Sequence, residues 1–279
     1  MSGRWSRWIH RWASPPYFYR VSRPWGRAFA VVSFVAIAIG LYGGLWLAPP
    51  DFQQGNGFRI IYMHVPSAWM SLFIFVFLAV CGLIGLIWRI KLAHAMASAA
   101  APIGAAFTAI TLVTGSLWAK PMWGTFWVWD ARLTSELILF FLYLGVIALS
   151  RSFENPQTGD RAAAILAIVG AVDVPIIHYS VDWWQTLHQG SIFRGNPFDG
   201  HLHTTVAPSM LWPLLVMWLG FMCYFGALVL WRARSEILLR QLDTDWAREA
   251  VGAPCPGRLF GAWGGSPSMS GRPSGSASL

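Results

Sequence analysis

One short segment holds the densest group of side chains able to bind a planar ligand. It runs Trp118-Ala-Lys-Pro-Met-Trp-Gly-Thr-Phe-Trp-Val-Trp-Asp130, between two long apolar stretches, and Arg132 follows it. Its aromatic members are Trp118, Trp123, Phe126, Trp127 and Trp129. An aromatic belt at a membrane surface needs only about one or two Trp or Tyr per crossing. This density predicts a flat aromatic platform outside the lipid, suited to a large planar apolar ligand.

Two histidines stand in loops on either side of that segment. His64 precedes Pro66, and His188 precedes the turn Gln189-Gly190. Two neutral imidazoles that approach a planar ligand from opposite sides form an axial pair for haem iron, while aromatic rings cover the porphyrin faces. A single loop histidine is more often a solvated side chain. The prediction of a haem-iron site therefore depends on the two histidines and the tryptophans sharing one face.

Haem propionates are anionic and need cations. The chain has six long apolar stretches joined by five loops. The candidate contacts are the basic residues of the first, third and fifth loops, namely Arg59, Lys120, Arg132 and Arg194. Asp130 is expected to bond a neighbouring indole or Arg132, since a carboxylate would repel the propionates.

Several other polar residues receive no firm role. His201 and His203 are spaced to chelate a metal but are interpreted as a polar loop, with a transition-metal site left open. Asp173, within the fifth apolar stretch, should face the helix bundle because an acid is costly in lipid. Glu136 should face the bundle or the outer surface, and His178 is expected to satisfy a neighbour.

The composition is that of a membrane protein. The 279 residues are 56% hydrophobic and 11% charged, with a mean hydropathy of +0.49. Apolar stretches long enough to cross a bilayer recur along the chain. They predict an all-α integral membrane protein with six transmembrane helices, at Ala28–Ala48, Ala68–Trp88, Ala97–Leu117, Leu133–Ser150, Ala162–Tyr179 and Ala207–Trp231.

Arginine distribution predicts the orientation. The leader, the even-numbered loops and the tail hold most of the arginines, so the positive-inside rule makes both termini cytoplasmic. The net charge of +8 is thus a topology signal and does not indicate a nucleic-acid partner. The predicted regions are a basic cytoplasmic leader (1–27), a membrane domain (28–231) with the Trp-rich segment (118–132) in its third, extracytoplasmic loop, and a cytoplasmic tail (232–279), disordered from about residue 252. His64, the Trp-rich segment and His188 belong to the first, third and fifth loops. Because successive spans cross in opposite directions, these three loops are also predicted to lie on the same side of the membrane.

Two enzymatic classes are disfavoured by the sequence. The three cysteines include no CxxC pair, which argues against thiol exchange. The two lysines follow no phosphate-binding glycine loop, which argues against an ATPase site in this chain. We therefore expect a binding or transfer protein and not an enzyme.

Part of the Trp-rich segment resembles a known signature. Trp123-Gly-Thr-Phe-Trp127-Val-Trp129-Asp130-Ala-Arg132-Leu-Thr is similar to WGxxWxWDxRLT of the haem-handling proteins of cytochrome c maturation. The six-span layout and the flanking histidines resemble the CcmC type, over about Ala28 to Trp231. Phe126 departs from the pattern, because it stands where a tryptophan is expected and lacks the indole N–H.

The resemblance implies a function and a set of partners. Haem b would be held at the outer face of a bacterial inner membrane by the residues matching the family ligands, His64 and His188. Trp118, Trp123, Trp127 and Trp129 would form the platform, supported by Gly124, Phe126, Asp130 and Arg132. The haem would pass to a membrane-anchored haem chaperone of the CcmE type. A CcmA- and CcmB-type ATP-binding-cassette complex and a small CcmD-type membrane subunit would be further partners.

Three alternatives differ in what they predict. A solute or metal permease would have discontinuous helices with polar residues converging near the midplane, for which Asp173 and Pro175 are the candidates. A b-type redox cytochrome would place facing histidines within the spans, which hold few. A structural assembly subunit would leave the two loop histidines without a role.

Overall fold

Helices make up nearly all the secondary structure. The computed structural model describes residues 14–190, 192–194 and 203–253. Its α-helices are α1 Pro15–Tyr42, α2 Ile61–Trp88, α3 Lys91–Trp123, α4 Ala131–Arg151, α5 Pro156–Gly170, α6 Asp173–Trp183, α7 Pro208–Arg240 and α8 Asp245–Ala250. A π-helical turn, Gly43–Leu47, extends α1, and a 3-10 turn, Asn56–Ile60, leads into α2. Two short antiparallel strands, β1 Phe193–Arg194 and β2 His203–Thr204, lie before α7.

Six segments among the described residues are long and apolar enough to cross a membrane. Five contain one α-helix each, and the remaining one, Pro156–Trp183, contains α5 and α6. The prediction of an all-α membrane protein with six spans is thereby confirmed. The cytoplasmic location of both termini stays a prediction, as do the boundaries of the three regions.

Several helices extend beyond the apolar stretches that predicted them. α1 begins at Pro15, within the predicted leader, and α7 continues into the predicted tail. α2 begins at Ile61, so His64 lies in a helix and not in a loop. Hydropathy locates only the lipid-crossing part, whereas a helix satisfies its own backbone hydrogen bonds past that limit. The predicted disorder after residue 252 falls almost wholly outside the described residues.

The fifth span is interrupted, which the sequence reading did not include. α5 ends at Gly170 and α6 begins at Asp173. Pro175 explains the interruption, because it lacks an N–H and its ring clashes with the carbonyl four residues earlier, that of Ala171. This discontinuity is a feature that the permease alternative predicts.

The bundle core lies between α2, α3, α4 and α5. α2 packs against α3 and α5, and α4 packs against α3 and α5. Phe75 and Tyr143 meet edge-on there, with ring centroids 4.9 Å apart. Small residues bring α1 close to α7, where Ser33 Oγ donates to the carbonyl of Gly220 at 2.9 Å. Such close contacts hold membrane helices together, since lipid gives no hydrophobic force between them.

One end of the bundle gathers the helix ends that carry the predicted site. α2 and α4 begin there, and α3 and α6 end there, because successive spans run in opposite directions. From Leu238 onward the chain forms a second, small unit that contains α8.

Candidate functional site

His64 is fixed in the first turns of α2. Its side chain is 6% exposed. Its Nδ1 lies 3.0 Å from Oγ1 of Thr114 on α3. The indole of Trp118, one turn further along α3, meets the imidazole edge-on with centroids 5.7 Å apart. Two helices therefore define the position of this ring.

His188 lies in the loop after α6 and is half-buried. Its Nδ1 is 2.9 Å from the backbone carbonyl of Gln189. A carbonyl only accepts, so Nδ1 carries the proton and Nε2 keeps a free lone pair. Burial, and secondarily the charge of Arg132, lower the pKa of His188 to about 4, although the bond to Gln189 opposes this shift. The imidazole is therefore neutral at physiological pH, which is the form that binds metals.

The two imidazole rings lie close together. Their centroids are 6.3 Å apart and their planes are inclined by 34°. A metal–imidazole bond is about 2 Å long, so two such bonds in line place the ring centroids about 6 Å apart. The structure thus brings His64 and His188 to a separation that fits two axial ligands of one iron.

The first two tryptophans of the Trp-rich segment flank this pair. α3 continues to Trp123, so Trp118 and Trp123 are helical. Trp123 meets His188 edge-on at 6.4 Å, and Trp118 Nε1 donates to Gln54 Oε1 at 2.8 Å. The last two tryptophans contact each other, with Trp127 and Trp129 edge-on at 5.5 Å.

The flat platform over all four tryptophans stays a prediction, although the rings of Trp127 and Trp129 are inclined by 78° to each other. Trp129 is 75% exposed. Nε1 of Trp127 is buried and has no hydrogen-bond partner among the described residues.

The other motif residues shape the turn between α3 and α4. Gly124 has a φ of +78°, and its N–H donates to the carbonyl of Lys120 at 3.0 Å, closing α3 as a left-handed cap. Asp130 Oδ1 accepts from the N–H of Leu133 at 2.8 Å and caps α4. The expected bond from Asp130 to an indole or to Arg132 is wrong, since its Oδ2 has no hydrogen-bond partner within the described part of the chain. Phe126 is exposed beneath the Lys120 ammonium.

The candidate cations differ in the hydrogen bonds that they already donate within the protein. Arg59 donates to the carbonyls of Gly44 at 2.6 Å and Ala48 at 3.0 Å, and to Asn56 Oδ1 at 3.1 Å. That leaves two of its five N–H groups. Lys120 Nζ donates to the carbonyl of Gly124 at 3.0 Å.

Arg132 interacts electrostatically with the histidine pair. Its charge acts on both His64 and His188, and it is attracted to Glu136, Asp130 and Asp182. No hydrogen bond of its guanidinium is found within the ranges that the structure describes. Arg194 lies in β1, opposite His203, and its side chain is outside the described part.

Two acids lie deeper in the bundle. Glu136 is buried, and its Oε1 is 2.7 Å from Ser71 Oγ. Asp173, at the interruption of the fifth span, interacts electrostatically with Glu136, and its Oδ2 is buried without a partner among the described residues. No group of three or more His, Cys, Asp or Glu side chains that could hold a metal ion exists in the described ranges.

Two other histidines are exposed. His178 is exposed and contacts the ring of Tyr179. His203 is exposed in β2, and His201 falls outside the described residues. The sequence reading missed Gln54 and Thr114. A signal existed for Thr114, because Thr111, Thr114 and Trp118 have the spacing of one helix face.

Fold and site together define an integral membrane protein that joins two histidines and a Trp-rich segment at one end of a six-span bundle. The sequence model of the CcmC family, heme exporter protein C, matches residues 8–248. Heme exporter protein C of Escherichia coli K12 is 47% identical over 246 residues, covering 87% of this chain and 96% of that relative.

Two further relatives agree. Heme exporter protein C of Bradyrhizobium diazoefficiens is 50% identical over 222 residues, covering 78% of this chain and 80% of the relative. A putative cytochrome c biosynthesis ccmC-like mitochondrial protein of Marchantia polymorpha is 44% identical over 201 residues, covering 72% and 83%. The chain belongs to the heme exporter protein C family.

Proposed function

We propose that this protein holds haem b between His64 and His188 and presents it to a membrane-anchored chaperone of the CcmE type. Membership of its family makes the protein a haem-handling component of cytochrome c biogenesis. The ligands, the haem type and the recipient are the parts that we add. The protein acts by binding and release, without an ATPase or a thiol-exchange site of its own.

The observation that carries the proposal is the 6.3 Å separation of the two imidazoles. The histidines come from different parts of the chain, so their approach needs the fold. His188 keeps its Nε2 lone pair free, and its low pKa keeps it neutral. Haem iron takes two neutral imidazoles as axial ligands.

Arg132 is our first choice for a propionate contact. No hydrogen bond of its guanidinium is found among the described residues, and its charge already acts on both histidines. A guanidinium fork matches a carboxylate with two parallel hydrogen bonds. Arg59 and Lys120 hold backbone carbonyls, so they serve first to fix the loops and contribute charge second. Arg194 stays a candidate on sequence grounds.

The exposed part of the Trp-rich segment suits the transfer step. Trp118 and Trp123 flank the imidazoles, whereas Trp129 faces away from the protein. We assign haem cover to the first two and contact with the chaperone to Trp127 and Trp129. A CcmA- and CcmB-type ATP-binding-cassette complex and a CcmD-type subunit would complete the assembly. The arginine distribution supports a periplasmic location of this surface in an inner membrane.

Absorption spectroscopy of the purified protein, with and without the co-expressed chaperone, tests this proposal. The unaltered protein should carry haem and lose it to the chaperone. His64→Ala and His188→Ala should each lower haem content or alter the ligand-sensitive bands. His203→Ala is the matched control, since this histidine is exposed in the same loop region. Equal haem spectra in the unaltered protein and the two ligand variants would refute the ligand assignment.

A further inference from the structure

Thr114 makes three polar contacts, of which the two shorter ones bear on the state of His64 and the third is to the carbonyl of Thr111 at 3.3 Å. Its Oγ1 is 2.6 Å from the carbonyl of Ile110, one turn earlier in α3, and 3.0 Å from Nδ1 of His64. A hydroxyl has a single proton to donate. The shorter contact is to a carbonyl, which can only accept, so the proton goes to Ile110. Oγ1 is then left as an acceptor, and the proton between Thr114 and His64 must belong to Nδ1.

We propose that Thr114 is a positioning residue that keeps His64 protonated at Nδ1 and so directs the lone pair of Nε2 at the haem iron. This inference rests on the proposed function, in which His64 is an axial ligand. Metal-binding histidines commonly donate their other N–H to an outer partner, which fixes the tautomer and makes the ligand more basic. The hydroxyl is polarised by its own bond to Ile110, which strengthens it as an acceptor.

The neighbouring residues of α3 fix the orientation of the same ring. A Cβ added at Gly115 would lie 2.9 Å from Cε1 of His64, so only glycine leaves room for the ring in this position. Trp118 closes the next side, edge-on. The hydrogen bond to Thr114, the space left at Gly115 and the indole of Trp118 therefore fix the imidazole, and all three residues belong to α3. Thr114 contributes the contact at Nδ1, beside a hydrogen bond between His64 and the backbone of Thr111, and Gly115 and Trp118 restrict ring rotation.

The second histidine has no equivalent arrangement. Nδ1 of His188 bonds the carbonyl of the adjacent residue, Gln189, and among the described residues no side chain from another helix bonds it. A change at Thr114 should therefore act on one ligand only. The two ligands differ in their Nδ1 hydrogen bond, since that of His64 is to a side chain of another helix and that of His188 is to the backbone of its own loop.

Replacing Thr114 by valine removes the hydroxyl and keeps the branched shape. Thr114→Ser restores the hydroxyl, and Thr114→Ala is a second variant without it. Thr108→Val is the matched control, because Thr108 Oγ1 also donates to a carbonyl of α3, that of Gly104 at 2.9 Å, and is buried. The haem-free protein with ¹⁵N-labelled histidine gives the first measurement, with the His64 signals assigned by comparison with His64→Ala.

The NMR spectrum of the unaltered haem-free protein should show His64 protonated at Nδ1. Thr114→Val and Thr114→Ala should weaken this preference, because only the hydrogen bond to the Thr111 backbone remains. They should also bind haem about 10- to 100-fold more weakly and have a higher iron reduction potential, since a less basic imidazole stabilises the ferric state less. Thr114→Ser and Thr108→Val should match the unaltered protein in all three measurements.

The results that would overturn the inference are distinct from those that bear on the proposed function. Unchanged tautomer, affinity and potential in both hydroxyl-free variants would rule out the positioning role. A finding that His64 is protonated at Nε2 in the unaltered protein would do the same without any haem present. By contrast, unchanged haem binding in His64→Ala would reject His64 as a ligand, whatever the NMR spectrum shows.

Discussion

Haem affinity should change little between neutral pH and about pH 5.5, although a histidine ligand with an ordinary pKa becomes protonated over that range. The pKa of His188 is lowered to about 4, first by burial and then by the charge of Arg132. At about pH 5.5 a histidine with the ordinary pKa of about 6.5 is about 90% protonated, whereas one with a pKa of about 4 is about 3% protonated. Since only the neutral imidazole binds iron, the first would lose about tenfold in apparent affinity and the second almost nothing. The loss at His188 should come only as the pH falls through about 4.

The assay is a haem titration of the detergent-purified, haem-free protein between neutral pH and about pH 4. The His64→Ala variant isolates His188 as the remaining ligand, and haem with free imidazole in the same detergent controls for changes in haem itself. Arg132→Gln should move the midpoint upward, because it removes the second cause of the low pKa, but not to the ordinary value, because burial remains. A tenfold loss of affinity by about pH 5.5 in both the unaltered protein and His64→Ala would show that His188 is not shielded as the structure indicates.

Three other predictions concern the Trp-rich segment and the topology. Trp127→Ala and Asp130→Ala should retain haem but lower the ratio of chaperone-bound to retained haem, because neither side chain contacts the histidines; an unchanged ratio in both would leave the segment as a membrane anchor. Gly124→Ala should lower the free energy of unfolding by about 1–2 kcal/mol in thermal denaturation, because φ is +78° there, and an equal midpoint would contradict the strained cap. Reporter fusions after Pro50, Phe126 and Gly195 should all report the extracytoplasmic side, and a cytoplasmic signal at Phe126 would reverse the proposed orientation.

The sequence predicted the membrane spans better than it predicted the contacts between side chains. Hydropathy identified six spans, and loop parity alone predicted that His64 and His188 would lie on one face. These inferences rest on bilayer thickness and alternation, which are properties of any membrane bundle. The helix ends were misjudged, as at Trp123, because polar residues can continue a helix beyond the lipid.

The contacts around the site could not be read from one sequence. The bond from Trp118 to Gln54 joins residues far apart in the chain, and no local pattern specifies it. Asp130 was expected to bond an indole or Arg132 because only its charge relative to the propionates was considered. Its position immediately before α4 is also that of an N-cap, which is the role that the structure shows. The interruption before Asp173 did have a local signal in Pro175, which a hydropathy reading does not use.

The most direct test of the central assignment is near-infrared magnetic circular dichroism of the ferric, haem-loaded protein, because the charge-transfer band in that region reports the axial ligand pair. The unaltered protein should give the band of two neutral imidazoles. His64→Ala and His188→Ala should each lose it, while His203→Ala should keep it. A bis-imidazole band that persists in the double variant His64→Ala/His188→Ala, or its absence from the unaltered protein, would contradict the assignment of His64 and His188 as the haem ligands.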